Sequence, residues 1–560
     1  IYTIGFNFSS AMVNLSQIPL FVLPYLSGTY GGNNAFRAIT TAYKTLAGSG
    51  TKRVIRMPNG NVEVKDTALG LENYFIPRVT DGKVVYDLRE DLKFDSKEQE
   101  ELIKSLKPLV EEASARGQLN QSYLADELNL DQSGRSQNKI TSYLPGGNKF
   151  TRYAAFMFHQ VEQTNRQVTL TASYLLEVKN AKRVLAKQGN IDPKDVVLTK
   201  AQEQQLARNA LYKTQETNGG AVTETGARFA QNDVMRVALM YKNYGIQMYY
   251  TMLKSAKAVG TNIFPGDDKA SKDLRDEAFK QLSYTMASSF LLAGVHGMPM
   301  YGAIKMMMDM MYGDEEEDFD TRMRNYLGEL AYKGPATYMS GVNIADRVAL
   351  SGLLVQLNKY NPDASLEEDI GFYLGGPALS VVKGMGRGVE DISNGNFVRG
   401  VEMLVPTSVR NAVRAMYRYP NEGVLTRRQD NILKEDLNFG ELAGQFLGFQ
   451  PYAIEKAQFT VAKFKGIQRA TLKQRSNYLS KYNLLRKAGD TEGINELLDE
   501  IGEWNKRVPV AGRITLTTLR RSASGFDRTS SQMEYGVPVR KQWKLLLDQV
   551  NVDKDDGDDN

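Results

Sequence analysis

Two histidines, His159 and His296, are all that a chain of 560 residues offers for imidazole chemistry, and no cysteine accompanies them. A base or nucleophile needs a hydroxyl or carboxylate partner at motif spacing, and neither histidine has one. His159 follows the apolar run Phe156-Met157-Phe158 and His296 lies in a second apolar stretch, so both read as packing residues. The lack of Cys removes disulfides, thiolate zinc sites and cysteine nucleophiles together. The nearest mimic of a phosphate-binding loop, Gly384-Met385-Gly386-Arg387-Gly388, follows an expected helix rather than a buried strand. It therefore lacks the strand–helix unit that would aim its N–H groups at a phosphate. Asp553, Asp555, Asp556 and Gly557 imitate the start of a calcium loop, but the glycine is misplaced and the chain stops before a closing Glu. No catalytic constellation, cofactor or metal is expected in this segment.

The basic side chains are better organised. Arg410, Arg414 and Arg418 fall at i, i+4 and i+8 on one helix face, with Arg427 and Arg428 close behind. Such a row suits salt bridging at an interface or contact with nucleic-acid phosphates. Lys and Arg outnumber Asp and Glu from Arg399 to Lys544, and the acidic stretch from Asp553 to Asn560 reverses the balance. The net charge is +5. A basic region with an acidic tail suggests polyanion contact or a solvated surface.

The stretch from Met286 to Met311 stands out in a chain that is 24% charged, because Lys305 and Asp309 are its only charges and Asp314 to Asp318 close it. About 20 helical residues cross a bilayer core, so the length suffices. Gly294, Gly297, Pro299 and Gly302 break its middle, and Lys305 and Asp309 are spaced to pair. Two readings follow: a Met-rich hairpin buried in a helical core, or a segment stored against protein and later placed in a membrane, with Phe290, Leu291 and Leu292 at its heart.

The elements that would carry these residues are mostly helical. Expected helices cover Asn34–Leu46, a charged segment from Ser96, Lys149–Ala186, Thr199–Thr217, Thr225–Val259, Arg322–Tyr332, Ile344–Tyr360, Leu374–Gly388, Val405–Tyr419, Thr426–Glu435, Asn438–Leu447, Tyr452–Ala488 and Thr491–Lys506. Short alternating runs flank Asn59-Gly60 and Asp81-Gly82 between Arg53 and Leu88, which predicts a small β insertion of two hairpins. Pro19 and Pro24 argue for an extended or kinked segment through Ile18–Leu26. The fold class is thus mainly α, a multi-helix elongated or bundled architecture. A chain of this length exceeds the ~250–300 residues of a single core. Composition shifts divide it at 1–95, 96–313, 314–400, 401–550 and a disordered acidic 551–560. It opens at Ile1 with no basic-then-apolar leader, as expected of a processed chain or the C-terminal part of a longer one.

Several short patterns in order carry a resemblance. They are Asn14-Leu15-Ser16-Gln17 with Pro24-Tyr25-Leu26; Gly375-Gly376-Pro377; Leu404-Val405-Pro406 with Arg410-Asn411 and Tyr417-Arg418-Tyr419; Glu422-Gly423-Val424 with Thr426; Leu447-Gly448-Phe449-Gln450-Pro451; and Trp504-Asn505 with Pro509. The set resembles the C-terminal region of large internal virion proteins of short-tailed bacteriophages, also described as large polyvalent protein-associated regions. The resemblance implies a protein packaged in the virion interior near the portal, ejected ahead of the genome, and reassembled in the host cell envelope as part of a channel for DNA. Implied partners are portal or other internal core proteins, further copies of the chain, the DNA backbone and the host membrane. The polymerase and transglycosylase signatures that some relatives carry are not found in this sequence. An alternative is the non-catalytic anchoring region of a giant virion-packaged enzyme such as a virion RNA polymerase.

Overall fold

The computed structural model describes residues 8–56, 62–66, 70–80, 83–119, 147–218, 243–261, 269–311, 319–351, 383–425, 430–433 and 435–535. The chain is mainly α, with two small antiparallel strand groups between Thr51 and Phe94. It divides into two compact units, one running to Ala457 and one from Gln458 onward, with Asp314–Glu317 outside the described residues.

The first unit is organised around the Gly147–Gly189 helix. From Asn165 to Tyr174 every residue of that helix is buried, so it has no solvent face there and polar side chains must find partners inside. Thr169, Asn165 Nδ2 and Gln167 do, whereas Thr171 Oγ1 and Ser173 Oγ have no hydrogen-bond partner. Thr169 Oγ1 donates to the Asn165 carbonyl at 2.8 Å, and Asn165 Nδ2 donates to the Asn14 carbonyl at 2.7 Å. Gln167 accepts from Leu71 N at 3.0 Å and donates to Glu72 Oε2 at 2.9 Å. Against this helix lies the Gly32–Leu46 helix, whose Ala35, Ala38, Ile39, Ala42 and Leu46 recur at i, i+3 and i+4 and are all buried.

Ile18–Leu26 is helical rather than extended. A π-turn over Ile18–Val22 runs directly into a helix over Leu23–Tyr30. The correction has a local cause: Pro19 and Pro24 both fall in the first turn of their elements, and a π-turn closed by Leu23 N donating to Ile18 O carries the helical backbone from one to the other. Phe21, Val22 and Leu26 are consequently buried.

The β insertion forms as expected in type. Strand β1 (Thr51–Arg56) pairs antiparallel with β2 (Val62–Asp66), Val54 facing Val64, and β3 (Phe75–Thr80) pairs with β4 (Lys83–Leu88), Thr80 facing Lys83. The turn dipeptides Asn59-Gly60 and Asp81-Gly82 lie outside the described residues. A further strand, β5 (Leu92–Phe94), pairs with β1. Asp91 fastens this corner: hydrogen bonds from Arg89, aided by Arg53 at 2.6 Å, outweigh partial burial and hold its carboxyl at about 2.

Expected helix starts are realised where a cap exists. Ser96 Oγ accepts from Gln99 N ahead of Lys97–Ser105, and Asn438 and Glu441 form a capping box ahead of Phe439–Phe446. Two expectations fail. Over Thr426–Glu435 no helix forms at Asp430–Leu433, because Asn431 bridges to Leu425 instead. The helix expected from Ile344 is a single turn, Ala345–Val348, ended by extended backbone at Ala349; residues 352–360 lie outside the description.

The second unit is helical. The later part of the Tyr452–Ala488 helix packs with Thr491–Arg507 and Leu516–Tyr535 around Leu497, Ile501, Trp504, Val508, Ile514 and Leu519. Asp490 caps the middle helix by accepting from Gly493 N at 2.9 Å. Asn505 accepts from Ile514 N and donates to Ile514 O, both at 2.8 Å, which pins the turn before the last helix.

Candidate functional site

The Met286–Met311 stretch folds as two helical arms on either side of a tight turn. The Lys269–Ala293 helix stops at Gly294, a 3₁₀ turn covers Val295–Gly297, and the Tyr301–Met311 helix leads away. Gly294 has φ +64, and a side chain there would meet the backbone of Tyr332 and Gly334. Only glycine combines that dihedral with that approach. The turn is then tied from two sides, Ser289 Oγ donating to Gly297 O at 2.8 Å and Leu350 N to the same oxygen at 2.9 Å.

Of the residues singled out in the sequence, Gly294, Gly297 and Pro299 are buried, Phe290, Leu292 and Gly302 are half-buried, and Leu291 is 59% exposed. Leu292 packs toward a core of Leu20, Phe21, Met248, Tyr249, Ala293 and Leu350. The hairpin is therefore seated on protein at its base, while Leu291, Met300, Ile304, Met307 and Met311 face outward. No helix among the described residues is long and apolar enough to cross a membrane.

What holds the base is a buried charge network that sequence inspection missed. Lys333, at the end of the Phe319–Lys333 helix, is 1% exposed and lies 2.9 Å from Asp346 Oδ1 and 3.1 Å from Glu455 Oε1. Arg324 Nη2 reaches the same Glu455 oxygen at 2.8 Å. Glu455 Oε2 has no hydrogen-bond partner. Burial opposes the charge on Arg324, but Glu455 and its neighbours outweigh it and raise the pKa.

His296 joins the network from the hairpin turn. Its Nε2 lies 3.0 Å from Asp346 Oδ1 and its Nδ1 lies 3.3 Å from the Tyr332 hydroxyl. Tyr332 and Tyr301 both donate to Asp320 Oδ1 at 2.8 Å, so the Tyr332 oxygen is left as an acceptor and both imidazole nitrogens face acceptors. Lys305 Nζ sits 3.4 Å from Asp320 Oδ2; the side chain of Asp309, with which Lys305 was expected to pair, lies outside the described residues. Burial pushes the Asp320 carboxyl up, Lys305, His296 and the two hydroxyls pull it down, and the balance lies below the usual carboxylate value. Burial, then the nearby Asp320 charge, pushes Tyr332 up.

The arginine row is used differently from the outward-facing reading. Arg414 Nε lies 2.8 Å from Glu402 Oε1, Arg418 pairs with Glu402 Oε2, and Arg410 donates to the Glu402 and Met403 carbonyls at 2.8 and 3.1 Å. Glu402 is fully buried, and the π-turn at Arg414–Arg418 helps bring both guanidinium groups to one carboxylate. The row thus joins the Phe397–Leu404 and Thr407–Val413 helices to the π-turn within the chain. Arg427 and Arg428, the acidic run Asp314–Asp318 and the tail lie outside the described residues, as does the His159 side chain.

The chemistry of both networks is charge pairing. Clefts lined by Leu46 and Gln167 and by Arg166 and Leu211 each hold about 10 Å³, room for a single water. Among the described residues no acidic or histidine cluster is arranged to hold a metal. Gly384, Gly386 and Gly388 lie within a helix over 383–393, so no phosphate-cradling loop forms there. No protein-family model, curated protein or solved structure matches the chain.

Proposed function

We propose that the chain is a structural, non-catalytic component of a bacteriophage genome-ejection apparatus, packaged in the virion near the portal and contributing to passage of DNA across the host envelope. The ordered short patterns from Asn14 to Pro509 support the setting, and the locked hairpin supports the mechanism. The observation that carries it is Lys333, buried between Asp346 and Glu455 directly beneath the hairpin turn. Buried ion pairs contribute little net stability over apolar packing, yet breaking one is expensive, which suits a latch that specifies one of two states. In this reading the hairpin is held on protein in the packaged state, and its exposed Leu/Met face serves in an assembly rather than as a lone spanning helix.

Quantitative mass spectrometry of purified particles of the source virus, before and after triggered genome ejection, tests the setting. Peptides present in full particles and lost from emptied ones are the expected result. Absence from both overturns the proposal.

A further inference from the structure

The imidazole of His296 is 7% exposed and stands in the turn between the two apolar arms. Its neighbours dictate which of its nitrogens carry hydrogen. Asp346 Oδ1 meets Lys333 Nζ at 2.9 Å and Asp346 Oδ2 accepts from Asn343 Nδ2 at 2.8 Å, so this carboxylate offers the ring only acceptors. His296 Nε2, 3.0 Å from Asp346 Oδ1, therefore carries a hydrogen. Nδ1 faces the Tyr332 hydroxyl at 3.3 Å, and that hydroxyl spends its single hydrogen on Asp320 Oδ1 at 2.8 Å. The bond to a carboxylate is the stronger use of that hydrogen as well as the shorter. Nδ1 is left facing an oxygen lone pair, which it satisfies only as a second N–H.

The charges around the ring have both signs. The end of the Lys269–Ala293 helix, Ser289 to Ala293, brings none. Asp346 from the Ala345–Val348 helix, Asp320 from the Phe319–Lys333 helix and Glu455 behind Lys333 favour a charged ring. Burial opposes it, as do Lys333 on the same Asp346 oxygen, Arg324 over the Tyr332 ring at 4.8 Å, Lys305 beside Asp320 and Arg347 beside Asp346. Those cations are themselves engaged: Arg324 with Glu455 and Glu329, Lys305 with Asp320, and Arg347 with the Gly448 carbonyl. Tyr301, edge-on to the ring at 5.8 Å, gives its hydrogen to Asp320. Hydrogen-bond direction then decides, because a neutral ring sets one bare nitrogen against a buried acceptor.

We infer that His296 is an imidazolium in the folded chain at neutral pH, and that its second ring proton makes the seating of the apolar arms proton-dependent. The Nδ1–H bond exists only in the protonated form. Its contribution is therefore fully present below the ordinary imidazole value of about 6.5 and is lost as pH rises through the folded-state titration. Proton loss opposes two lone pairs at the turn whose Gly297 carbonyl ties Ser289 and Leu350 together. The inference rests on reading the network beneath the turn as a latch, and adds the proton that sets it.

The test is nuclear magnetic resonance of the ring nitrogens in the full chain labelled at its two histidines, with His159→Gln assigning the signals. At about pH 7.5 an ordinary imidazole with pKa about 6.5 is about nine-tenths neutral, whereas His296 is expected to hold a hydrogen on both nitrogens. One bare nitrogen at that pH overturns the inference. Hydrogen exchange reads the second half. Corrected for the intrinsic rate, protection of residues 286–305 relative to 491–507 is expected to fall roughly tenfold or more as the ring loses its proton. His296→Gln, which cannot titrate, is expected to abolish that dependence whatever its absolute protection. A dependence that persists in this variant, or flat protection in the parent while the ring titrates, overturns the inference. A neutral His296 would leave the Lys333 latch and the proposed setting standing, whereas absence of the chain from particles would leave the state of the ring unchanged.

Discussion

Lys333 Nζ lies 3.1 Å from Glu455 Oε1, joining two side chains that are 1% and 7% exposed and far apart in sequence. A lysine so deeply placed has no water to fall back on, so its position depends on the two carboxylates that meet it. Removing one partner of such a pair costs about 3–5 kcal/mol, because it strands the other charge in the interior. Glu455→Gln is therefore expected to destabilise the first unit by that amount, read from urea unfolding midpoints. Lys333→Met relieves the buried charge and is expected to cost less than Glu455→Gln, which leaves Lys333 and Arg324 competing for Asp346 and Glu329.

Glu402 anchors the arginine row in the same way. Glu402→Gln leaves Arg414 and Arg418 without their shared carboxylate, and a loss of about 3–5 kcal/mol is expected. Thermal unfolding measures it. A loss below about 0.5 kcal/mol would mean that the row is held by its carbonyl contacts and not by the carboxylate.

Asp320 should contribute to acid sensitivity alongside Asp91. The folded pKa of Asp320 lies below the ordinary 3.8, so its contribution is fully present above that value and is lost as pH falls through the folded pKa. The Asp320→Asn variant is expected to show a shallower decline of urea midpoint below pH 3.8 than the parent chain.

Glycine substitutions separate dihedral strain from steric approach. Gly328 has φ +75 and ψ 163, a backbone region almost confined to glycine, with open space around it, so Gly328→Ala should cost only the backbone penalty of about 1–3 kcal/mol. At Gly294 the same penalty is joined by contact with the Tyr332 and Gly334 backbone. Gly294→Ala should therefore cost more than Gly328→Ala by about 1–3 kcal/mol, measured as a difference in unfolding free energy.

The two leucines of the hairpin should part company. Leu291→Asp is expected to leave stability within about 0.5 kcal/mol, whereas Leu292→Asp, placed against the Leu20 and Phe21 core, should destabilise by about 2–3 kcal/mol. Liposome flotation adds the functional arm: if the exposed face meets lipid, Leu291→Asp reduces co-flotation without unfolding the chain.

Helices and their caps were legible because their causes are local. Ser96, Asn438 and Asp490 each cap a helix from within three residues, and the Tyr452–Ala488 helix has the bounds its periodicity predicts. The prolines misled because Pro19 and Pro24 were read as breaks, whereas their position in the first turn is set by where each element begins. The hairpin residues were visible as composition, but the charges beneath them were not. Arg324 and Glu455 are 131 residues apart, and no spacing rule joins residues across a tertiary contact. The arginine row was correctly placed near one helix face, while its partner, Glu402, precedes it in another helix and gives no sign in the sequence of being buried.

The central claim is that a buried charge network holds the apolar hairpin on protein. Hydrogen exchange on the full chain, comparing the parent with Glu455→Gln, tests it most directly. Amides of residues 286–305 should be protected in the parent and exchange markedly faster in the variant, while those of residues 491–507 remain as they were. Fast exchange of the hairpin in the parent, or equal protection in both proteins, would contradict the account.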